Sequence, residues 1–279
     1  IKANGIPNSI QSTNGMPNRT IYQIGETYGS HELIASYIGS GMLNAQFDFN
    51  VYDAALATFA QTDVSFKNLN SKLTEGFSYY GWNNLMGIIS GNHDKGRFIS
   101  YAGGSLSFDE DAKYAGWTRK IGVGNPLGYK RLQMFNAFNL TIPGVPTIYQ
   151  GDEFGQPGGN DPDNRKMMQF EGLNDSEQQT LAVTKKLTAL RRSNMALNYG
   201  TFEPLLITDN VYAYARTYMG NVVVVVFNNS NSSTKIEMEL PARFAELNFS
   251  SNFSSDFSKS GEKLYVKLDG FSFDVFTSI

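Results

Sequence analysis

Cysteine is absent from this 279-residue chain, which excludes disulfide scaffolds, cysteine-based zinc sites and thiol nucleophiles. No apolar run approaches the ~18 residues of a membrane span. The longest, Val222–Phe227, has the length of a strand. Lysine and arginine form no stripe, and the formal net charge is −3 with a pI near 5.5, so nothing marks a surface for nucleic acid or an anionic membrane. A neutral substrate is the natural partner. The start, Ile1-Lys2-Ala3-Asn4-Gly5, reads neither as a signal peptide nor as an initiator, and the chain is expected to begin inside a longer gene product.

What is present fits a globular protein rich in aromatics, with 41% hydrophobic and 18% charged residues, 20 Phe and 15 Tyr. Over the first two thirds, short apolar runs alternate with helical patterns, as in βα units on a parallel sheet. Strands are expected at Thr20–Ile24, Leu43–Phe49, Leu85–Ser90 and Val145–Gln150. Helices are expected at Glu32–Ile38, Val51–Ala60 and Lys130–Leu140, the last with Leu132, Phe135 and Phe138 recurring at a spacing of three. A final helix spans about Ser176–Ser193, with a capping box read at Ser176 to Gln179 and Val183, Leu187 and Leu190 facing the core.

After Asn198-Tyr199-Gly200 the period changes to two, which places a boundary between residues 1–198 and a β-sandwich over 199–279. Val211–Arg216 alternates, and Asn221–Phe227 suits a strand buried on both faces. Glu262–Leu268 and Phe271–Phe276 follow across Asp269-Gly270, while Asn228–Ser233 and Ser250–Ser260 are read as turns. Four βα units cannot close a barrel, which needs eight strands, so half of one is missing or supplied by another chain.

Three clusters fall at the C-terminal ends of the expected strands, where βα barrels assemble their active sites. They are Gly25-Glu26-Thr27-Tyr28, Gly91-Asn92-His93-Asp94 and Gly151-Asp152-Glu153-Phe154-Gly155. Glu26 and Asp94 stand about two βα units apart, at ~30 residues each, and can face one barrel mouth. Glycoside hydrolysis needs a proton donor and an anionic partner, and this pair meets part of that need. The bland readings are a helix cap or a lysine pair for Glu26, and an N-cap or Asx turn for Asp94. His93, flanked by Asn92 and Asp94, can donate to a sugar hydroxyl, whereas His31 is read as a helix-surface residue.

The loop Gly158–Arg165 sets Asp161 near Arg165 in a Gly/Pro-braced segment. Its bland reading is a surface loop tied by an internal ion pair. It is neither a calcium EF-loop, because Arg165 stands where a ligand is required, nor a phosphate loop. Of Tyr28, Trp82, Tyr101, Trp117 and Tyr149, one or two are expected to serve as sugar platforms and the others to be core.

Together Ile24–Tyr28, Ser90–Phe98 and Gly144–Gly155 resemble successive motifs of the α-amylase family of glycoside hydrolases. Gly159–Lys166 looks most like its neopullulanase, cyclomaltodextrinase and other maltodextrin-acting branches. The resemblance covers about residues 20–195, and the part after residue 200 is similar to the family's C-terminal domain. It implies α/β architecture: strands five to eight of a (β/α)8 TIM barrel, then a small antiparallel β-sandwich. By motif match Glu26 is the general acid/base, Asp94 stabilises the transition state and His93 contacts bound glucose. Asp161 and Arg165 match a pair that holds a sugar hydroxyl pair, Tyr28 joins the substrate-binding set, and retention through a covalent glycosyl-enzyme is implied as well. Such chemistry asks for a carboxylic acid held in a partly desolvated pocket.

Two departures stand out. The family's nucleophile Asp, with an Arg two residues before it at the end of strand four, has no counterpart before Glu26; Asp48, Asp53 and Asp63 are wrongly placed to replace it. The residue before Asn92 is Gly91, where an acidic or aliphatic residue is usual. The chain alone is therefore expected to be inactive, with an α-glucan or maltooligosaccharide as the substrate of the parent. No metal site or cofactor is expected in this chain, and the family's calcium ligands belong to the missing part. Two other readings stay open: a non-catalytic carbohydrate-binding or scaffold protein on an amylase-like barrel, and a transglycosylase or isomerase of the same family. Keeping Glu26, His93, Asp94, Asp161 and Arg165 argues against a decayed site. The compartment is not set, although secretion or a periplasmic location would suit a large polysaccharide.

Overall fold

The computed structural model describes residues 22–39, 42–82 and 84–279, together with two short strands, β1 (Ser9–Ile10) and β2 (Arg19–Thr20), which pair antiparallel. The strand expected over Thr20–Ile24 is divided. Thr20 belongs to β2, Ile21 lies outside the described residues, and Ile24 opens β3 (Ile24–Gly25). Next come α1 (His31–Ala35), β4 (Ala45–Gln46), α2 (Phe49–Ala60), α3 (Phe66–Tyr80) and β5 (Gly87–Ile89). Then α4 (Phe98–Ala102), α5 (Ala112–Thr118), α6 (Leu127–Thr141), β6 (Val145–Thr147), α7 (Asp175–Ser193) and α8 (Met195–Tyr199) follow.

β3 pairs parallel with β4, and β5 with β6. A parallel bridge from Phe47 to Gly87 joins the two pairs into an arc that runs in chain order. Gly87 permits this join, because a β-carbon there would stand 2.5 Å from the Phe47 ring. The inner strands are buried, while Ile24 is 36% exposed and the β6 residues are half-buried. Among the described residues nothing pairs with the outer edges of β3 and β6, so the arc is half a βα barrel with both edges open.

Several expected helices differ in detail. The β4–β5 crossover carries a second helix, α3, whose Phe66, Leu69, Leu73 and Tyr80 form a buried stripe among polar neighbours, with Ser65 at its N-cap. The capping box of α7 uses Asn174 and Glu177, two residues earlier than expected, because Asn174 Oδ1 accepts from Glu177 N at 3.1 Å and Glu177 Oε2 from Asn174 N at 2.8 Å. In α6 the buried set extends beyond Leu132, Phe135 and Phe138 to Met134, Ala137 and Leu140, since α2, α4, α7 and the sandwich together surround it.

The sandwich contains β7 (Thr201–Ile207), β8 (Val211–Tyr218), β9 (Asn221–Asn228), β10 (Thr234–Glu239), a 3-10 turn (Ala242–Phe244), β11 (Phe249–Ser251), β12 (Asp256–Ser260), β13 (Lys263–Leu268) and β14 (Ser272–Ser278). One sheet has the order β11-β14-β9-β8-β7 and the other β10-β13-β12. Ser250–Ser260 is therefore not all turn: β11 and β12 lie within it or overlap it, held by Phe249 and Phe257 packing inward. Asp269-Gly270 carries the chain from one sheet to the other, so β13 and β14 are not partners. β9 is buried on both faces: Val223, Val225 and Phe227 meet the helices, and Val222, Val224 and Val226 meet the second sheet.

The helical layer and the sandwich share one core. Phe59 lies 5.5 Å from Phe227 and Phe66 stacks 5.5 Å from Tyr212. The end of α6 would leave carbonyls unpaired. Two buried guanidinium groups satisfy them: Arg191 donates to Leu140 O at 2.8 Å and Ile142 O at 3.2 Å, and Arg216 donates to Thr141 O at 2.5 Å. Trp82 and Trp117 are the only tryptophans and both lie on the helical side. Phe227→Ala, although in β9, should therefore cost about 3–5 kcal/mol of unfolding free energy, seen as the same fall in denaturation midpoint by tryptophan fluorescence and by far-ultraviolet circular dichroism. A change seen by circular dichroism alone would mean that the sandwich melts separately.

Candidate active site

The four parallel strands point their C-terminal ends at one rim. After β5, Ser90 Oγ donates to Asp152 Oδ2 at 2.6 Å and accepts from Tyr149 N at 2.9 Å, which joins the β5 and β6 loops. A β-carbon on residue 91 would stand 2.9 Å from Asp152 Oδ2, so any larger residue there would have to displace the buried Asp152 carboxylate. This accounts for the departure from the usual residue before Asn92, since an acidic side chain would also press a second charge on the Asp152 carboxyl.

Arg97 closes the rim from below. It is 2% exposed and donates to Asp152 Oδ1 at 2.9 Å, Gln150 O at 2.7 Å and Asn164 O at 2.6 Å, with its guanidinium 4.2 Å over the Tyr149 ring. Asn164, itself buried, donates to the carbonyls of His93 at 2.9 Å and Lys95 at 2.8 Å. The loop that carries His93 and Asp94 thus rests on Asn164, and Asn164 rests on Arg97. Burial pushes the Asp152 carboxyl up, while Arg97 and the Ser90 hydroxyl pull it back down.

Four of the expected site residues come together here. Asp94 Oδ2 lies 3.4 Å from His93 Nε2, and its Oδ1 lies 3.6 Å from Arg165 Nη2. Arg165 Nε is 2.7 Å from Asp161 Oδ1, so the internal ion pair of the bland reading exists and also adjoins Asp94. The Asx turn belongs to Asn92, whose Oδ1 accepts from Asp94 N at 3.0 Å, and this leaves the Asp94 carboxylate free of capping.

Glu26 sits at the end of β3, exposed, with no hydrogen bond or ion pair among the described residues. It does not cap α1, because Ser30 does. The partly desolvated pocket expected around it is not formed by these residues, since β3 is an open edge. Its loop nevertheless reaches that of Asp94: Tyr28 OH donates to Asp53 Oδ2 at 3.1 Å, and Lys95 Nζ lies 3.1 Å from Asp53 Oδ1.

Other expectations need correction. The Gly151–Gly155 cluster turns largely inward, with Asp152 3% exposed and Glu153 accepting from Gly151 N, so Asp152 supports the rim from beneath. His31 is not a surface residue. It is 3% exposed, wedged between Tyr79 and Tyr80, with Nδ1 3.5 Å from Glu75 Oε1. Burial lowers its pKa while Glu75 raises it. Trp82 precedes β5 and stacks on Phe77 at 4.3 Å, at the opposite end of the strands from the rim. Tyr149 is taken by Arg97 and Tyr101 packs on Phe108, whereas Tyr28 stays 66% and Trp117 69% exposed. Arg97, Asn164, Lys95 and Asp53 carry structural roles that no sequence pattern marks.

Residues 4–188 match the family described as Alpha amylase, catalytic domain. The chain belongs to the α-amylase family. Residues 202–275 match the Maltogenic Amylase, C-terminal domain. The chain is 31% identical over 189 residues to a cyclomaltodextrinase of Thermoanaerobacter pseudethanolicus, covering 66% of itself and 28% of that protein. It is 31% identical over 219 residues to a cyclomaltodextrin glucanotransferase of Thermoanaerobacterium thermosulfurigenes, covering 77% of itself and 27% of that protein. The α-amylase of Geobacillus thermoleovorans, solved with acarbose, superposes with a TM-score of 0.75 at 24% identity, over 92% of this chain and 53% of that one. The chain thus spans under a third of the length of these two curated relatives and about half of the solved α-amylase.

Within this α-amylase half barrel, Asp48 is a buried N-cap of α2, accepting from Val51 N at 3.1 Å, and burial pushes its carboxyl up to about 6. An unfolded Asp titrates near ~3.9. The folded state therefore holds the proton longer, and the stability so gained, full below pH ~4, is lost as pH rises towards about 6. Asp48→Asn keeps the cap and removes this dependence. Urea unfolding should show the variant gaining on the order of 2 kcal/mol over the wild type as pH rises from 4 to 7. Parallel curves would mean that Asp48 ionises as in the unfolded chain.

Proposed function

We propose that the protein carrying this chain is a retaining α-glycosidase acting on α-glucans or maltooligosaccharides. Glu26 protonates the leaving oxygen and then deprotonates the incoming water, and Asp94 stabilises the oxocarbenium-like transition state. His93 and the Asp161–Arg165 pair bind the hydroxyls of the sugar in the reacting position, and the exposed face of Tyr28 carries a sugar ring. The observation that carries this reading is the gathering of Asp94, His93, Arg165 and Asp161 within ion-pair distance on the strand-end rim, beside the loop of Glu26. A carboxylate flanked by a cation and an imidazole is held ready for a developing positive charge and for hydroxyl recognition at once.

The nucleophile, on this reading, is an Asp upstream of Glu26, on the half of the barrel that would pair with the open edges of β3 and β6, together with any calcium ligands. Substrates named for the relatives, cyclomaltodextrins among them, set the classes to assay. A transfer reaction is the second reading, favoured by the likeness to a glucanotransferase, and it uses the same two carboxylates with a sugar acceptor in place of water.

In the full-length protein, Glu26→Gln should lower kcat on maltooligosaccharides by ~10²–10⁴. The 279-residue chain alone should show no turnover. Undiminished turnover by the Gln variant would remove Glu26 as the acid, and turnover by the isolated chain would remove the upstream nucleophile.

A further inference from the structure

We propose that Lys95 and Asp53 are positioning residues that hold the acid/base loop at a fixed separation from the Asp94 loop. The inference rests on the roles proposed above for Glu26 and Asp94. Tyr28 follows Glu26 by two residues, and Lys95 directly follows Asp94. The two side chains meet, with the Lys95 ammonium 4.5 Å from the centroid of the Tyr28 ring. Asp53 closes the triangle, taking the ammonium on Oδ1 at 3.1 Å and the Tyr28 hydroxyl on Oδ2 at 3.1 Å.

Each corner of the triangle is itself anchored. Phe49 meets Tyr28 edge-on at 5.3 Å and lies 5.6 Å from Lys95 Nζ, and the Lys95 carbonyl accepts from Asn164 Nδ2 at 2.8 Å. Asn50, also in the first turn of α2, donates to Gly29 O at 2.9 Å. Helix α2 therefore grips both loops with its first two turns, from the strand that lies between them. One face of Tyr28 is occupied by Lys95, which turns the other outward.

The Lys95–Asp53 pair is 25% and 40% exposed. A pair so placed adds little to stability. Its geometric effect is another matter, because displacing a catalytic group by ~1 Å can cost ~10²-fold in rate. Losing the triangle should therefore appear in turnover and not in melting.

The test uses the full-length protein on maltooligosaccharides, with Lys95→Met, Lys95→Arg, Asp53→Asn and the Lys95→Met/Asp53→Asn double variant. Lys95→Met should lower kcat by about 10–100-fold with KM within about threefold, because the displaced groups act in the transition state. Its melting temperature should stay within about 3 °C of the wild type. Lys95→Arg, which can keep both the stacking and the ion pair, should restore most of kcat. The double variant should be no slower than the worse single one, the mark of residues acting as a unit. Asp53→Asn is isosteric and carries the same test however Lys95→Met folds. Unchanged kcat in both single variants, or losses that multiply in the double one, would overturn the inference. Glu26→Gln run alongside separates the two levels: if it is fully active, the underlying reading of the site fails, whereas a Glu26-dependent enzyme indifferent to Lys95 and Asp53 refutes the positioning role alone.

Discussion

Arg97 is almost wholly enclosed, and its pairing with the equally buried Asp152 is the interaction on which the rim depends. Removing one partner of such a pair leaves an uncompensated buried charge and typically costs ~3–5 kcal/mol. The pair also has a geometric consequence. Five donors of one planar group fix the β6 loop through Gln150 and Asp152, the following loop through Asn164 and Gln156, and the Asp94 loop through Asn164. The rim residues assigned to substrate are exposed or, for Asp161, half-buried, so their order comes from this layer beneath them.

A second layer of order comes from the join to the sandwich. Arg191 and Arg216 satisfy the carbonyls at the end of α6, and Asn229 reaches back from the sandwich to the carbonyls of Thr58 and Gln61 at the end of α2. α2 is the helix that meets both the Glu26 and Asp94 loops. Packing against the sandwich thus steadies the element that spaces the two carboxylates, and the sandwich contributes to the site without touching it. The opposite, open side of the arc has no such support, which is why Glu26 stands exposed.

Much of this was legible in the sequence. The strand ends that carry Glu26 and Asp94, the Asp161–Arg165 ion pair and the doubly buried Val222–Phe227 follow from motif, period and position. α3 is hidden in the sequence because its apolar stripe is diluted by Asn, Ser, Thr and Lys on the exposed side, so only its full length of 15 residues shows the period. The burial of His31 is hidden for a related reason: periodicity locates it on a helix but carries no sign that Tyr79 and Tyr80, nearly fifty residues on, close around it. Arg97 and the Lys95–Asp53 pair were invisible because a charged residue in a loop reads as solvated until the folded chain shows what surrounds it.

The dependence of the rim on Arg97 is open to direct measurement by amide hydrogen exchange on the Arg97→Met variant of this chain. Segments 91–95, 150–156 and 158–166 should lose protection together, while β9 in the sandwich keeps the protection it has in the wild type. Wild-type protection in all three segments would contradict the account, because the rim would then be held by something other than this buried guanidinium.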